Sequence, residues 1–308
     1  MNTCRVTKEK LKNIMSFGRM PIANNFLANT DDFSSEEFFN LGISFSEKIS
    51  LVQLTENPSI KKMFHSNYAF FSSTSVFMEK HFKNTKDWLF KNEYLSREKK
   101  NFLIEIGCND GIFLKNFLKE STVKHLGFEP SKNVCDIARS KGLNSVNHFF
   151  DLNSAKKYSK IFGSADIIYA ANAFCHIPNI NNVLKGIDII LKDNSFLIFE
   201  DPYLGDVLEK ISYDQIYDEH IFIFSLISVE KIFKLMNYTL IDVYPLTTHG
   251  GSMRYIVQKK SNAEQSSRLN YYKNLEIKKN FHKFSTYLKF SLDCEKSKIK
   301  IVSSDTTS

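Results

Sequence analysis

The amino-acid sequence predicts an α/β fold built on a mostly parallel sheet, and three observations support this prediction. From residue 101 onward, short apolar segments alternate with amphipathic segments, as strands and helices do when they alternate along a chain. The apolar segments are almost continuous, as expected of strands buried on both faces of a parallel sheet. Two later strand-like segments are joined by a short turn that contains Gly250 and Gly251, so the sheet is expected to end in an antiparallel hairpin.

The composition narrows the class of protein. The chain has 308 residues, of which 43% are hydrophobic and 24% charged, and is long enough for two modest domains. The net charge of +7 comes from dispersed lysines, which does not favour nucleic-acid binding. No apolar run reaches the ~18 residues of a membrane span, and the charged start does not resemble a secretory signal. The five scattered cysteines predict neither a disulfide framework nor an evident zinc site, so a reducing cytoplasm is expected.

The elements of the central domain follow in order along residues 96–260. Strands are predicted at NFLIEIG, HLGFEP, SVNHFF, ADIIYAANA, SFLIFEDP, TLIDVYPL and GSMRYIVQK. Helices are predicted at IFLKNFLKE, SKNVCDIARSKG, NINNVLKGIDIILK and SLISVEKIFKLMNY. A parallel sheet whose last strand runs against the others is typical of a class I methyltransferase. Residues 1–95, without sustained strand and helix alternation, are expected to form a small N-terminal lobe, and residues 261–308 a helical tail.

The loop after the first predicted strand indicates a cofactor site. Asp110-Gly111 could turn a hairpin, but the apolar residues of IFLKNFLKE recur at helical spacing, so the loop is expected to join a strand to a helix. Ligands of such sheets bind at the carboxyl ends of the strands, and Glu129, which ends the next strand, can accept both hydroxyls of a ribose. The loop lacks the GxGxxG pattern of dinucleotide sites and carries an acidic residue, which favours the cationic S-adenosylmethionine over a nicotinamide cofactor or a purely structural turn. The predicted cofactor-binding residues are Glu105, Gly107, Cys108, Asn109, Asp110, Gly111, Glu129, Pro130, Ala171 and Asn172.

Five strings in the same order resemble those of a known family. They are IEIGCNDG, GFEPS, ANAFCHIPN, YDQIYDEHIFIFS and THGGSMRYIV. Together they resemble the sugar C-methyltransferases, which act on nucleotide-linked 4-keto-deoxyhexoses, over roughly residues 15–260. The resemblance implies an N-terminal zinc-binding domain, a central Rossmann-like methyltransferase domain and a C-terminal domain that helps to hold the nucleotide sugar.

Two departures from the family are expected to matter. Of the family's four zinc cysteines, Cys4 keeps one position, while Thr7, Ser46 and Ile49 stand near the others, so zinc and any other metal are not expected. The chain ends soon after Lys260, so we expect it to lack the C-terminal domain, whose part of the site would be absent or supplied by a partner chain.

The string YDQIYDEHIFIFS supplies residues suited to methylation of a carbon next to a ketone. That reaction requires a base for the α-proton and a group that stabilises the enolate oxygen. Histidine is the natural base near neutral pH. The resemblance implies His220 as base with Glu219 beside it, and Tyr217 and His176 close to the keto sugar. Taken alone, Tyr217 and His220 could equally be a buried aromatic residue and a satisfied core histidine.

The resemblance also implies residues that contact the substrate. It suggests that the segment HSNYAFFSSTSVFMEKH covers the active site with Tyr68 and Ser73 facing the substrate, and that Phe70 replaces a second tyrosine of the family. Aromatic stripes are more often core, so a structural role stays open for this segment. His249 is expected near the sugar. Arg254 is the fourth predicted substrate-binding residue, with a solvated or paired charge as the alternative.

The sequence therefore predicts an S-adenosylmethionine-dependent methyltransferase that C-methylates a nucleotide-linked 4-keto-deoxysugar through an enolate. Two alternatives remain at this stage. One is a small-molecule O-methyltransferase with the same fold, and the other is a non-catalytic remnant of the family. Neither nucleic acid nor a membrane is expected as a partner.

Overall fold

The computed structural model describes residues 2–26, 34, 36–64 and 68–305. The first three residues of the segment predicted to cover the active site, 65–67, lie outside the described residues. The strands, in chain order, are β1 (Lys12–Pro21), β2 (Phe38–Ser46), β3 (Leu51–Leu54), β4 (Asn101–Ile106), β5 (Val123–Phe128), β6 (Ser145–Val146), β7 (Ala165–Ala171), β8 (Leu191–Pro202), β9 (Phe222–Ile223), β10 (Thr239–Leu246) and β11 (Ser252–Gln258). The helices are α1 (Ile60–Met63), α2 (Val76–Lys91), α3 (Lys132–Ser140), α4 (Leu152–Phe162), α5 (Ile180–Ile190), α6 (Leu204–Lys210), α7 (Leu226–Lys234), α8 (Ser267–Lys278) and α9 (Phe284–Asp305).

A seven-stranded sheet forms the centre of the molecule, with the strand order β10-β11-β8-β7-β4-β5-β6. Strands β4 to β8 are parallel to one another, whereas β11 runs antiparallel to both β8 and β10. All six residues of β4 are buried, as its continuous apolar sequence predicted. This arrangement confirms the predicted class I methyltransferase fold, including the reversed last strand.

A second, four-stranded antiparallel sheet has the order β1-β2-β3-β9 and forms most of the N-terminal lobe. Its strands were not predicted, because register shifts at two points of β1 break the regular alternation of apolar and polar residues. Strand β9 lies within the predicted catalytic string, two residues after His220, and pairs with β3. The catalytic string is therefore attached to the lobe by backbone pairing.

The predicted helix IFLKNFLKE is wrong in its extent. The structure has a single turn of 3₁₀ helix at Leu114–Phe117 in its place. The Asn116 side chain donates hydrogen bonds to the carbonyls of Ile112 and Phe113, at 3.1 and 2.9 Å, and so competes with a regular helical ladder. The segment still connects β4 to β5, and these strands are parallel, so the loop does not turn a hairpin, as predicted.

The region expected to be a helical tail contains α8 and α9. Helix α8 packs on α7 and β10 of the central domain, whereas α9 packs on the N-terminal lobe, where the ring of Tyr287 lies 4.5 Å from that of Phe45. Glu276 of α8 is 1% exposed and accepts hydrogen bonds from the N–H groups of Leu226 and Ile227, at 2.7 and 2.9 Å, and from the Tyr203 hydroxyl at 3.0 Å. One buried carboxylate therefore satisfies the free N–H groups at the start of α7. None of the helices in the described part of the chain is long and apolar enough to cross a membrane.

Candidate active site

A cavity of about 510 Å³ opens at the carboxyl ends of β4, β5 and β7, below the segment 68–72. This is where ligands bind in open α/β sheets, and the volume suits a small-molecule site. Six of the predicted cofactor-binding residues line it, namely Gly107, Asn109, Glu129, Pro130, Ala171 and Asn172. Six predicted catalytic or substrate-binding residues also line it, namely Tyr68, His176, Tyr217, Glu219, His220 and His249.

Glu129 lies at the tip of β5 with its carboxylate held by two backbone groups. Its Oε2 accepts the N–H of Asn109 at 3.0 Å, and its Oε1 accepts the N–H of Ser131 at 2.8 Å. Burial raises the pKa of Glu129 to about 7, although both hydrogen bonds act to lower it. Each oxygen keeps a second lone pair, so the carboxylate can still accept the two hydroxyls of a ribose.

The loop between β4 and the next turn has the backbone conformation that a close ligand contact requires. Gly107 has φ +73°, and a Cβ at this position would lie 2.9 Å from the Cβ of Ala173. Asn109 and Asn172, which line the cavity on either side, both have φ +47°, a conformation that asparagine tolerates better than most residues. The absence of a side chain at Gly107 thus leaves the backbone open to a bound cofactor.

Four of the predicted cofactor residues do not reach the cavity. The Asp110 side chain accepts hydrogen bonds from the Ser73 hydroxyl and, at 3.1 Å, from Lys141, so it joins the loop to the segment above it. The Glu105 and Cys108 side chains are buried in the core, and burial raises the pKa of both. Gly111 is required by packing, because a Cβ there would lie 2.0 Å from a methyl carbon of Leu143.

Asn109, one of the predicted cofactor-binding residues, uses its side chain to hold the covering segment. Its Oδ1 accepts the N–H of Ser72 at 2.9 Å, and its Nδ2 donates to the carbonyl of Phe70 at 3.1 Å.

The reasoning from sequence missed several cavity residues that lie after β6 and at the start of α5, namely Phe149, Phe150, Asp151, Asn179 and Asn182. Their position after a strand of the sheet was the signal that could have found the first three.

The imidazole of His220 is fixed in one tautomer. Its Nδ1 lies 2.8 Å from the carbonyl oxygen of Gln215, and because a carbonyl can only accept, Nδ1 carries the proton. The unprotonated Nε2 is then free to accept a proton. Burial lowers the pKa of His220 to about 4, so the ring is neutral at pH 7. The backbone carbonyl of Gln215, five positions before His220, therefore orients the ring, and the adjacent Glu219 does not.

The remaining predicted catalytic residues surround His220. The ring of His176 stacks on that of His220 with centroids 5.4 Å apart, and the Tyr217 ring lies 4.4 Å away. Burial raises the pKa of Tyr217, so its hydroxyl stays protonated and can donate. Glu219 also lines the cavity, but its carboxylate accepts hydrogen bonds from Asn24 at 2.6 Å and from the Tyr68 hydroxyl at 3.1 Å and not from His220.

The four predicted substrate-binding residues divide into two pairs. Tyr68 and His249 line the cavity, and Asn172 Nδ2 donates to His249 Nε2. Ser73 does not line it, because its hydroxyl donates to Asp110. Arg254 is 5% exposed and lies in an ion pair with Glu200 at 2.7 Å, on a strand of the central sheet. Of the two alternatives kept open for Arg254, the paired charge agrees with the structure.

The N-terminal lobe does not present the ligands of a tetrahedral zinc site at the expected positions. Cys4 is fully buried and its Sγ accepts the N–H of Thr7 at 3.5 Å. Ser46 donates its hydroxyl to Glu9, and Ile49 packs in the core. One thiol with two hydroxyls and an aliphatic side chain does not match the thiolate and imidazole sets that hold structural zinc, so no role is derived from this metal.

Comparison with known proteins identifies the family. A sequence model of the methyltransferase domain matches residues 81–243, a model of a zinc-binding domain matches residues 4–64, and a model of the C-methyltransferase C-terminal domain matches residues 247–304. We expected a degenerate N-terminal lobe without the zinc cysteines and no C-terminal domain. The models of the zinc-binding domain and of the C-terminal domain both match, so the expectation that these two parts are lacking is wrong. The expectation that a partner chain completes the site stays a prediction.

Individual relatives agree with this family. The C-methyltransferase NovU of Streptomyces niveus is 26% identical over 254 residues, which are 82% of this chain and 60% of the relative. The chain thus spans about 60% of the length of this relative. A solved methyltransferase of Anabaena variabilis is 20% identical (57% of this chain, 84% of that one, TM-score 0.43), and magnesium protoporphyrin IX methyltransferase of Synechocystis is 12% identical (65%, 92%, TM-score 0.45). With more than half of its length matched by the model of the methyltransferase domain, this chain belongs to the family of proteins that contain this domain.

Proposed function

We propose that this methyltransferase transfers its methyl group to the carbon next to the ketone of a nucleotide-linked 4-keto-deoxysugar, with His220 as the base. The observation that carries the proposal is the fixed tautomer of His220, whose unprotonated Nε2 belongs to a side chain that lines the cavity. The match to the C-methyltransferase C-terminal domain and the name of the NovU relative support carbon as the methylated atom. The sugar acceptor is supported by the five strings that resemble the sugar C-methyltransferases.

The chain's own residues account for the proton transfer. His220 Nε2 takes the α-proton of the acceptor, and the electron pair of that C–H bond moves into the enolate. The protonated hydroxyl of Tyr217 donates to the enolate oxygen and stabilises its charge. When bound, S-adenosylmethionine supplies an electrophilic methyl group on a positively charged sulfur. Glu129 and the backbone at Gly107, which line the same cavity, would hold that cofactor.

The electrostatics of His220 set a condition on this mechanism. A pKa of about 4 keeps Nε2 unprotonated at pH 7, but it also makes the ring a weak proton acceptor. Stabilisation of the enolate therefore has to lower the pKa of the acceptor's C–H bond, and Tyr217 is the neighbouring donor. Loss of either group is expected to slow proton removal, because His220 takes the proton from the α-carbon and Tyr217 stabilises the negative charge that forms on the oxygen.

The charge of the cavity supports a neutral sugar ring as the part of the acceptor that enters it. The described residues that line the cavity include no lysine or arginine. Buried phosphates are normally paired with such cations. We infer that the diphosphate of the nucleotide sugar stays outside the enclosed part of the site, while the keto sugar reaches His220.

Solvent deuterium exchange tests the proposal. Incubated with a nucleoside-diphosphate 4-keto-deoxyhexose in D₂O, the wild-type enzyme should catalyse deuterium incorporation next to the ketone, and the His220→Ala variant should do so about 10² to 10⁴ times more slowly. His125→Ala is the matched control, because His125 is also buried but does not line the cavity. Calorimetry with S-adenosylhomocysteine should show that His220→Ala still binds the cofactor product. Unchanged exchange in His220→Ala would remove this base, and a methyl ether found in the product by NMR would identify an O-methyltransferase.

A further inference from the structure

Three metal-ligating side chains converge behind the acceptor end of the cavity. The Sγ of Cys175 and one ring nitrogen from each of His176 and His220 all lie within 4.8 Å of one another. In a tetrahedral zinc site such atoms are about 3.3 to 3.8 Å apart, so shifts of the order of 1 Å would close the set around one ion. Nothing in the string ANAFCHIPN signals this cluster, because its third member lies 44 positions further along the chain.

The hydrogen bonding of the two imidazoles leaves ligand atoms available. The Nε2 of His176 is buried without a hydrogen-bond partner among the described residues. The Nδ1–H of His220 is donated to the Gln215 carbonyl, which leaves Nε2 as the ligating atom. A backbone carbonyl on the other nitrogen is the usual outer partner of a metal-bound histidine.

The remaining surroundings also favour a cation. Cys175 is 1% exposed, so its thiol is enclosed on the side away from the cavity. The carboxyl group of Asp201 is fully buried beside the Cys175 thiol. One thiolate and two imidazoles are a ligand set that zinc and cobalt prefer over magnesium or calcium.

We propose that Cys175, His176 and His220 form a binding site for a divalent transition metal such as Zn²⁺, and that metal binding there inhibits the enzyme. The thiol of Cys175 releases its proton to solvent as it binds. Because His176 and His220 line the cavity and Cys175 does not, the fourth position of the ion faces the acceptor. The inhibition rests on the proposed function, since an ion on Nε2 prevents His220 from taking the α-proton.

Cobalt spectroscopy tests the site without reference to activity. Titration of metal-free protein with Co²⁺ should produce the near-ultraviolet charge-transfer absorption of a cobalt–thiolate bond together with the visible bands of tetrahedral cobalt. Cys175→Ser should abolish the charge-transfer band. It should also weaken Co²⁺ binding by at least about 10- to 100-fold, which is the loss expected when only a hydrogen-bond partner of a metal ligand is removed. Cys135→Ser is the matched control, because Cys135 is equally buried and does not belong to the cluster, and it should keep the band. A band that survives in Cys175→Ser and disappears in Cys4→Ser would overturn the proposal, as would no thiolate band at all.

Zinc inhibition of methyl transfer separates this proposal from the proposed function. Added Zn²⁺ should inhibit the wild-type enzyme, a chelator should restore activity, and Cys175→Ser should need at least about tenfold more zinc for the same inhibition. A cobalt–thiolate band on Cys175 without inhibition by the bound metal would refute the role of His220 as base but retain the site. If wild-type protein shows no cobalt–thiolate band while His220→Ala loses deuterium exchange as expected, the metal site is refuted and the proposed function stays in place.

Discussion

Replacement of Gly107 by alanine tests whether close backbone approach is what the loop after β4 provides. The residue has φ +73°, which costs an L-amino acid about 1–2 kcal/mol. A Cβ at this position would also lie 2.9 Å from the Cβ of Ala173, closer than real Cβ atoms approach one another. Ala173 is 7% exposed, so it cannot move away freely, and overpacking of this kind costs a further ~1–3 kcal/mol.

Gly142 offers a matched control for the cost of placing an L-amino acid at a positive φ. It has φ +82° at the end of α3, but nothing lies within 4 Å of the Cβ that alanine would add there. Gly142→Ala should therefore lose about 1–2 kcal/mol of unfolding free energy and bind S-adenosylhomocysteine as the wild type does. Gly107→Ala should lose about 2–5 kcal/mol, the sum of the strain and the overlap.

The decisive measurement is the affinity for S-adenosylhomocysteine, determined by calorimetry on folded protein. Gly107→Ala should bind at least about tenfold more weakly, which is ~1.4 kcal/mol, because the displaced loop no longer fits against the ligand. Urea unfolding of both variants supplies the stability values. Wild-type affinity in Gly107→Ala, with a stability equal to that of Gly142→Ala, would refute the role of this glycine in cofactor binding.

Two further predictions concern buried carboxylates. Glu276→Ala leaves two N–H groups and one hydroxyl without an acceptor, so it should lower the unfolding free energy by about 3–5 kcal/mol in urea titrations. Glu264→Ala, at an exposed position, is the control and should change the unfolding free energy by less than about 0.5 kcal/mol. A small loss in Glu276→Ala would show that the tail is not fixed through this carboxylate. Because the pKa of Glu129 is about 7, its carboxylate is mostly protonated at pH 6 and ionised at pH 8, so S-adenosylhomocysteine should bind up to about tenfold more tightly at pH 8. Glu129→Gln should remove this dependence, and a flat wild-type profile would contradict the ribose contact.

The central sheet could be predicted from sequence because each of its strands carries its own signal. Buried parallel strands are continuous apolar runs, and the position of a ligand at their carboxyl ends follows from topology alone. Gly107 and Glu129 were therefore predicted beside one cavity without knowledge of any contact. The N-terminal sheet could not be predicted in this way, since bulges interrupt its alternation and one of its strands, β9, has only two residues.

Side-chain direction was the part that sequence could not supply. Asp110 lies in the predicted loop, yet its carboxylate points to Ser73 and Lys141, because a buried charge needs partners and the cavity has no cationic side chain among its described lining residues. Glu219 is adjacent to His220 in sequence, but it lies in a turn, and its carboxylate accepts hydrogen bonds from Asn24 and Tyr68. The carbonyl of Gln215 has no sequence signal, because every residue carries one.

The contacts of residues 215–224 show how His220, the proposed base, is held between the N-terminal lobe and the C-terminal helices. Upstream of β9, the side chain of Glu219 is held by Asn24 and Tyr68 of the N-terminal region, and β9 itself pairs with β3. Downstream, α7 begins at residue 226 with its first N–H groups bound by Glu276 of the tail. His220 therefore sits in a short segment anchored at one end by the lobe and at the other by the C-terminal helices, while the cofactor loop is anchored by the central sheet. The distance between base and cofactor is set by how these three parts pack together, so substitutions at the lobe contacts are expected to affect the rate of methyl transfer more than the affinity for the cofactor.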